Sequence, residues 1–382
     1  MTDLEPPTNR WPPWLRNVLA LCTVVVVALA VAYIPFAGGG DDSRADRVEP
    51  STTASADASA TPASPTLEPT PEETRDPSEQ PPRVRHVVVV SLDGFGSELV
   101  SRIGLARLPA LARLSSTGAS TFNARTEVEA TVTLPNHAGM LTGRPVFTDY
   151  DGHGVTVNED TGQTVHQLAG YDVASAFDVV HAAGGSTALF STKDKFALFA
   201  RSWEPAIDRF EYLPDDRALM SAAIGDLVSS RRTFTFIHLG IVDRVGHASG
   251  WLSPAQLAAA READDLLGDL MAEVASDRKL ARRLVIVVTA DHGGVGRDHG
   301  DSQDPRNFTV PFVVRGATVA EGADLYALNP SLADPGSSQP FYDADRGPVR
   351  NGFVANVVTK LLGLEPVPGS SLSRDGLVLA KP

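Results

Sequence analysis

The stretch VVVVSLDGFG at residues 87–96 carries the strongest fold signal in this chain. Four consecutive valines indicate a strand buried on both faces, which is typical of the central strands of a parallel sheet. The strand leads directly into Asp93, and in open α/β sheets ligands bind beyond the carboxyl ends of the strands. Asp93 is therefore predicted to hold a ligand at that edge; a salt bridge at a strand end is the alternative.

Residues 83–382 alternate strand-like and helix-like patterns and are predicted to form one domain. The clearest helix is predicted at residues 253–276, with Ser253 as its N-cap and Pro254 in the first helical position. This alternation predicts an α/β fold with a largely parallel central sheet covered by helices on both faces. Buried strands are predicted at residues 86–92, 186–190, 232–239, 283–289 and 309–315.

The N-terminal part of the chain has a different character. A short tail at residues 1–16 precedes an uncharged, mostly apolar segment at residues 17–37. About 20 apolar residues cross a hydrocarbon core of ~30 Å, so this segment is predicted to be a single transmembrane signal-anchor helix. A signal peptide with AVA at residues 30–32 as its cleavage site is the alternative. Cys22, the only cysteine, lies in this segment, which excludes a disulfide framework.

Residues 38–82 are predicted to be a disordered linker rich in Ser, Thr, Pro and Ala. Within them, residues 41–82 carry ten acidic and three basic side chains and no aromatic one. Such a composition cannot bury enough apolar surface to offset the entropy of folding. An anchor followed by a linker predicts a cell-membrane protein with its domain outside the cytoplasm; a cytoplasmic domain is the alternative. The net charge of −14 speaks against a nucleic-acid-binding surface.

Carboxylates and imidazoles follow three of the predicted strands. These groups suit Zn²⁺ or a similar divalent ion, and no thiolate is needed. Six ligands are too many for one tetrahedral ion but fit two, which at ~3.5–4 Å apart can clamp both oxygens of a phosphoryl transfer. Each residue taken singly is as readily a structural one, and His86, His166 and His181 are interpreted in that way. The six candidates are Asp93, Asp243, His247, Asp291, His292 and His299.

A nucleophile for such a site is predicted at Thr133. It precedes LPNHAGML, which has the pattern of a short helix with Pro135 in its first turn. A hydroxyl at a helix N-terminus lies near free backbone N–H groups, where a phosphate can bind. The alternative role for Thr133 is that of an N-cap alone, and Thr131 is the second candidate for the nucleophile.

Together these residues resemble the type I phosphodiesterase/nucleotide pyrophosphatase branch of the alkaline phosphatase superfamily. The matching motifs are SLDGFG, TLPNHAGMLTGRP, GHGVTVN, DRVGH and TADHGG, in the order of that family. They extend over most of residues 85–315, and residues 350–366 resemble the helix that often closes these domains. The resemblance implies an alkaline-phosphatase-like catalytic domain at residues 83–382.

The resemblance also implies roles for individual residues. Thr133 would attack phosphorus in line, form a phosphothreonine intermediate and be released by water. Asn158 would hydrogen-bond a phosphate oxygen. Two divalent ions are implied, Zn²⁺ first and Mn²⁺ as an alternative. The implied ligands are Asp93, Asp291 and His292, with Thr133, for the first ion, and Asp243, His247 and His299 for the second.

Some positions depart from the family pattern. His299 follows His292 by only seven residues, whereas the corresponding histidine of typical members lies farther along the chain. His238 occupies the place of an aromatic residue that often stacks on a nucleobase, so the resemblance does not imply nucleotide specificity. His238 and Lys193 are candidate substrate-binding residues; for Lys193, as for Lys195, a solvated loop is the alternative.

The predicted function is hydrolysis of phosphodiester or pyrophosphate bonds by a membrane-tethered, metal-dependent enzyme. Within the superfamily, a phosphomonoesterase or a phosphoalcohol transferase is the alternative. Monoesterases add a further cation near the phosphate, and Arg144 and Lys193 are the candidates for it. A non-catalytic surface module that retains the metal site is the alternative from another class. A phosphate ester is the expected partner, together with the membrane.

Overall fold

The computed structural model describes residues 83–380, which contain an eight-stranded sheet. The order across the sheet is β4-β3-β5-β1-β6-β7-β2-β8, and all neighbours are parallel except β7, which is antiparallel to β6 and β2. The strands are β1 (His86–Leu92), β2 (Ala119–Arg125), β3 (Thr187–Ser191), β4 (Phe210–Tyr212), β5 (Phe234–Leu239), β6 (Leu284–Thr289), β7 (Thr309–Gly316) and β8 (Ala323–Asp324).

Helices pack on both faces of this sheet. They are α1 (Ser97–Ile103), α2 (Pro109–Ser116), α3 (Thr133–Thr142), α4 (Val165–Ala169), α5 (Ala176–Ala182), α6 (Ala197–Ser202), α7 (Asp216–Ser230), α8 (Ile241–Ser249), α9 (Pro254–Ser276), α10 (Arg278–Ala281), α11 (Pro305–Phe308), α12 (Leu325–Leu328) and α13 (Val354–Leu361). The predicted α/β class with a largely parallel, covered sheet is therefore confirmed.

The valines of the opening stretch form the centre of the molecule. β1 lies between β5 and β6, and Val87 to Val90 are at most 1% exposed. Burying a valine side chain contributes about 1.5–3 kcal/mol each, which explains why this strand takes the central position. The same run that predicted a strand thus fixes where its carboxyl end, and Asp93, will lie.

The helix predicted at residues 253–276 begins and ends within one residue of that range, as α9. The Ser253 side chain accepts a hydrogen bond from the Gln256 N–H, and Pro254 is the first helical residue. All five predicted strands are present. Strands β2, β4 and β8 were not predicted, because β2 interrupts its apolar residues with Thr121 and Asn123, and the other two have three residues or fewer.

Across residues 83–380, none of the helices has the length and apolar character needed to span a membrane. The tail predicted at residues 1–16, the span at 17–37 and the linker at 38–82 lie outside the described residues. These three predictions stay predictions.

Candidate metal centre

Three neighbouring strands deliver the candidate ligands to one edge of the sheet. Leu92 at the end of β1 pairs in register with Leu239 at the end of β5, and Ser91 pairs with Thr289 at the end of β6. Because these strands are parallel and end together, the residues that follow them meet. Asp93 follows β1, Asp243 lies in the first turn of α8 just after β5, and the remaining ligands follow β6.

A glycine permits this close approach. Gly94 has φ +73°, and a Cβ placed on it would lie 2.9 Å from the Asp243 Cα. A side chain at this position would therefore strain the backbone and push the end of β1 and the start of α8 apart. The positive φ and the close contact with Asp243 explain why the residue after Asp93 is a glycine.

The six candidate residues form two groups, and these are the two sets that the resemblance implies. Within each group, one ligand atom from every residue lies within 4.8 Å of the others. The residues of the first group are fully buried, whereas the second contains His247, whose side chain is 45% exposed. The first group is Asp93, Asp291 and His292; the second is Asp243, His247 and His299.

Each of the three histidines is oriented by a backbone carbonyl. The Nδ1 atoms lie 2.9 Å from Arg297 O for His247, 2.8 Å from Gly293 O for His292, and 2.6 Å from Thr131 O for His299. Since a carbonyl only accepts hydrogen bonds, each Nδ1 must carry the proton. Each Nε2 therefore presents a lone pair, which is the arrangement that metal-binding histidines use.

The three carboxylates share a second feature: one oxygen is held by the protein and the other is left without a hydrogen bond. Asp93 Oδ2 accepts from His238, Asp243 Oδ2 from Lys193, and Asp291 Oδ1 from the backbone of Gly94. Within the two groups, the buried atoms left without a partner are Asp93 Oδ1, Asp243 Oδ1, Asp291 Oδ2 and His292 Nε2.

These orphaned atoms face one another. His292 Nε2 lies 3.4 Å from both Asp93 Oδ1 and Asp291 Oδ2. In the second group, His247 Nε2 lies 3.3 Å from Asp243 Oδ1 and 3.1 Å from His299 Nε2. Lone pairs and carboxylate oxygens placed in this way repel each other unless a cation lies among them. The donor set of oxygens and imidazole nitrogens therefore fits divalent ions such as Zn²⁺.

Charge within the site separates the pKa values of two buried carboxyls. Burial alone would raise the pKa of Asp93, but the Lys193 ammonium and the hydrogen bond from His238 hold it well below its usual range. Burial, followed by the neighbouring Asp93 charge, raises the pKa of Asp291 well above its usual range. Two adjacent buried carboxylates thus compete for ionisation, as expected where a cation is needed to neutralise both.

Thr133 is the first residue of α3, and the N-cap is Val132. The alternative role of Thr133 as an N-cap is therefore wrong. Its side chain is nearly fully buried, and Oγ1 lies 3.3 Å from Lys193 Nζ. The nucleophile candidate thus lies beside Lys193, which contacts both ligand groups.

The Lys193 ammonium lies 2.6 Å from Asp93 and 2.7 Å from Asp243. Burial lowers its pKa, but the carboxylates of Asp93 and Asp243 raise it above the usual value, so the side chain is charged. The solvated-loop alternative is wrong for this residue. Lys195 also points inward, with Nζ 2.8 Å from Asn158 Oδ1.

Asn158 is held with its amide in one orientation. Its Oδ1 accepts hydrogen bonds from the Leu134 N–H and from Lys195 Nζ, at 3.0 and 2.8 Å. Because both partners are donors, the atom between them must be the oxygen, and the NH₂ group stays available as a donor. Leu134 is the second residue of α3, so the amide lies at the same helix N-terminus as Thr133.

His238 differs from its predicted role. It is fully buried in β5, and its Nε2 donates to Asp93 Oδ2 at 2.7 Å. Its Nδ1 lies 3.2 and 3.3 Å from the hydroxyls of Ser191 and Thr192. This burial does not fit a substrate contact; His238 instead orients Asp93.

Two further candidates have other tasks. The Thr131 hydroxyl donates to the backbone carbonyl of His299, and its own carbonyl accepts from the His299 ring, so Thr131 positions that histidine. Arg144 donates to the carbonyls of Asp151 and Pro368 and so ties loops together, away from the ligand groups.

His137, which was not singled out from the sequence, lies 2.9 Å from Ser91 and 3.6 Å from Asp291 behind the first group.

Fold and site together define a class of α/β proteins with two groups of acidic and histidine residues at the carboxyl edge of a largely parallel sheet. The family model of type I phosphodiesterase/nucleotide pyrophosphatase matches residues 87–175 and 179–331. The chain belongs to this family and is a hydrolase of the phosphodiesterase/nucleotide pyrophosphatase type, as the motifs predicted.

Solved structures show the same fold. Murine ectonucleotide pyrophosphatase/phosphodiesterase 5, in an inactive form with AMP, superposes with a TM-score of 0.56 at 12% identity, covering 77% of this chain and 100% of that one. A second structure of the same murine protein gives 0.56 at 13% identity, with 76% and 100% coverage. A search of curated proteins found no match.

Proposed function

We propose that this protein hydrolyses phosphodiester or pyrophosphate bonds through attack by the Thr133 hydroxyl beside two divalent ions. The observation that carries the proposal is a set of four orphaned buried atoms in the two groups, together with Lys193, which contacts Asp93, Asp243 and the Thr133 hydroxyl. The proposed ligands are Asp93, Asp291 and His292, with Thr133, for one ion and Asp243, His247 and His299 for the other. When bound, such ions lower the pKa of a hydroxyl and offset charge on phosphoryl oxygens.

The chain's own groups then orient the phosphoryl group. Thr133 opens α3, so the free N–H groups of the first turn can donate to phosphate oxygens. The Asn158 amide, locked by Lys195, adds a donor comparable to that of an oxyanion hole. Attack by Thr133 Oγ1 forms a bond to phosphorus, the ester oxygen leaves, and water later cleaves the phosphothreonine. Zn²⁺ fits the donor set best, with Mn²⁺ as the alternative.

The first test compares the full chain, loaded with Zn²⁺ or Mn²⁺, with Thr133→Ala on bis-p-nitrophenyl phosphate. We expect turnover to fall by roughly three orders of magnitude or more, while metal content by elemental analysis stays near two ions. Thr117→Ala serves as the matched control, since its hydroxyl donates to the Arg113 carbonyl at the end of α2, away from the candidate ligands. Full activity of Thr133→Ala would refute the proposed nucleophile, and a metal-free active protein would refute the proposed centre.

A phosphomonoesterase is the second candidate, because a specific observation favours it. A monoester carries one more negative charge at phosphorus than a diester, and Lys193 adds a fixed cation beside Thr133. If the substrate is a monoester, Lys193→Met will reduce turnover of p-nitrophenyl phosphate far more than that of the diester. An equal loss of turnover on both substrates would show that Lys193 only maintains the structure of the site.

Assays on the same metal-loaded protein distinguish the remaining alternatives. A phosphoalcohol transferase would release more p-nitrophenol when an alcohol acceptor is added, whereas a hydrolase would not. A non-catalytic module would bind metal and cleave neither ester.

We also propose cell-membrane anchoring through residues 17–37, with the domain outside the cytoplasm. Protease accessibility of the domain in intact cells tests this proposal.

A further inference from the structure

A strongly basic surface lies at the amino-terminal edge of the sheet. Strands β1 and β6 begin there, whereas the candidate metal centre follows their carboxyl ends. An open depression of about 500 Å³ lies in this surface, between His86 and the ends of α7 and α10. We call this surface the basic face; its cations are Arg85, Arg231, Lys279, Arg282 and Arg283.

Backbone pairing holds these cations together. The Arg85 N–H donates to Arg283 O at 2.8 Å, and the His86 ring is hydrogen-bonded to Arg232 O. Burial lowers the pKa of His86, the hydrogen bond to Arg232 O opposes this shift, and the nearby Arg231, Arg85 and Arg283 add to it. The positive charges therefore act on one another at close range, although the chain as a whole is acidic.

Most of these charges have no partner in the domain. Arg231 pairs with Asp277 at 2.6 Å, but Arg85, Lys279, Arg282 and Arg283 make no side-chain hydrogen bond or ion pair with residues 83–380. All four are exposed. A concentration of like charges that has few counter-charges among residues 83–380 costs free energy that a polyanionic partner would recover.

We propose that the basic face docks on a bilayer surface containing anionic lipid headgroups. The cations are exposed and spread over the ends of three elements, which suits an extended surface better than a small enclosed anion. The chain also enters the domain at this face, and the segment that precedes it contains the predicted membrane span at residues 17–37. Each lysine or arginine near an anionic membrane strengthens binding about fivefold, and the attraction falls off within a Debye length.

Docking in this way has a consequence for the substrate, which rests on the proposed function. The metal centre lies at the opposite edge of the sheet, so a docked domain turns its site away from the bilayer. The site then faces water-soluble phosphate esters, and the headgroups of the supporting membrane are out of its reach.

The test uses the full chain reconstituted in bilayers of phosphatidylcholine alone or mixed with phosphatidylglycerol. Reactivity of individual arginines toward an arginine-selective dicarbonyl reagent is read by mass spectrometry. We expect Arg282 and Arg283 to react at least about fivefold more slowly in the anionic bilayers and to recover at high salt. Arg217, an exposed arginine of α7, serves as an internal control and should not change.

A double variant sharpens the result. Arg282→Gln with Arg283→Gln should weaken docking roughly 25-fold and so restore the reactivity of Arg85 in anionic bilayers. Equal reactivity in both bilayers overturns the proposal. Protection by soluble polyphosphate but not by phosphatidylglycerol also overturns it and assigns the face to a soluble polyanion. Diester hydrolysis in the same samples is scored separately, so failure of docking and failure of the hydrolase are distinguishable.

Discussion

The His238 ring donates a hydrogen bond from Nε2 to Asp93 Oδ2 at 2.7 Å, in a fully buried pair that joins β5 to the end of β1. This bond leaves Asp93 Oδ1 free to face His292. A group that orients a metal ligand in this way commonly contributes 10–100-fold in metal affinity.

We therefore expect His238→Ala to weaken binding of the first ion by about 10–100-fold, and His238→Gln, which keeps a donor, to weaken it less. Competition with a chromogenic chelator measures this affinity. His181→Ala is the control, because that side chain is 40% exposed and lies 3.8 Å from Asp208, at the opposite edge of the sheet from the centre. Unchanged metal affinity in His238→Ala would show that Asp93 needs no such support.

Gly94→Ala tests the close approach of the two ligand groups. The added methyl would lie 2.9 Å from the Asp243 backbone at a φ of +73°, so either β1 or α8 must shift. We expect a loss of about 1–3 kcal/mol in the free energy of unfolding and a much larger fractional loss of diesterase turnover. Gly104→Ala, also at positive φ but in open space, is the matched control for backbone strain alone. If both variants lose the same amount of activity, the close approach has no special role.

Metal removal should destabilise the protein. Without ions, one oxygen each of Asp93, Asp243 and Asp291 is buried with no hydrogen-bond partner. We expect chelation to lower the melting temperature, and Zn²⁺ at a hundredfold excess over its Kd to restore about 2.7 kcal/mol per site. Calorimetry with and without chelator measures the difference. A melting temperature independent of metal would contradict the proposed centre, even if the fold is intact.

A second carboxyl cluster predicts how stability depends on pH. The Tyr342 hydroxyl lies 2.7 Å from Glu127 Oε2 and also contacts Glu129, yet it has one proton to donate. Burial, and then the Glu129 charge, raises the pKa of Glu127 from 4.5 to about 8, while Tyr342 and Arg350 oppose the shift. In the unfolded chain Glu127 releases its proton near its ordinary pKa, so the free energy of unfolding falls as pH rises from 4.5 to 8 and is level above.

The variant Glu127→Gln should remove this part of the pH dependence. The expected difference between wild type and variant is on the order of 3–5 kcal/mol across that range. Denaturant unfolding at constant metal concentration measures it, and the comparison cancels the pH dependence of metal binding. A wild-type curve parallel to that of Glu127→Gln would show that Glu127 titrates normally.

The sequence by itself determined the class of fold and the members of the two candidate ligand groups. A run such as Val87 to Val90 can satisfy its backbone and bury its side chains only in the centre of a sheet, and that fixes where Asp93 emerges. Asp243 and Asp291 follow similarly apolar strands, so the pattern placed them beyond the carboxyl ends of parallel strands, whereas the tertiary structure decided that these strands are the neighbours of β1. The family motifs added the division into two groups.

Only the tertiary structure decided which other side chains reach the centre. Lys193 and His238 carry no local signal, because their roles depend on β3, β5 and β1 being neighbours in that order. The same holds for the basic face, whose Arg85, Arg231 and Arg283 are far apart in the chain and become adjacent when parallel strands begin together. Sequence pattern reports which residues are buried or alternate along one element; contacts between elements depend on strand order, and a local pattern does not encode that order.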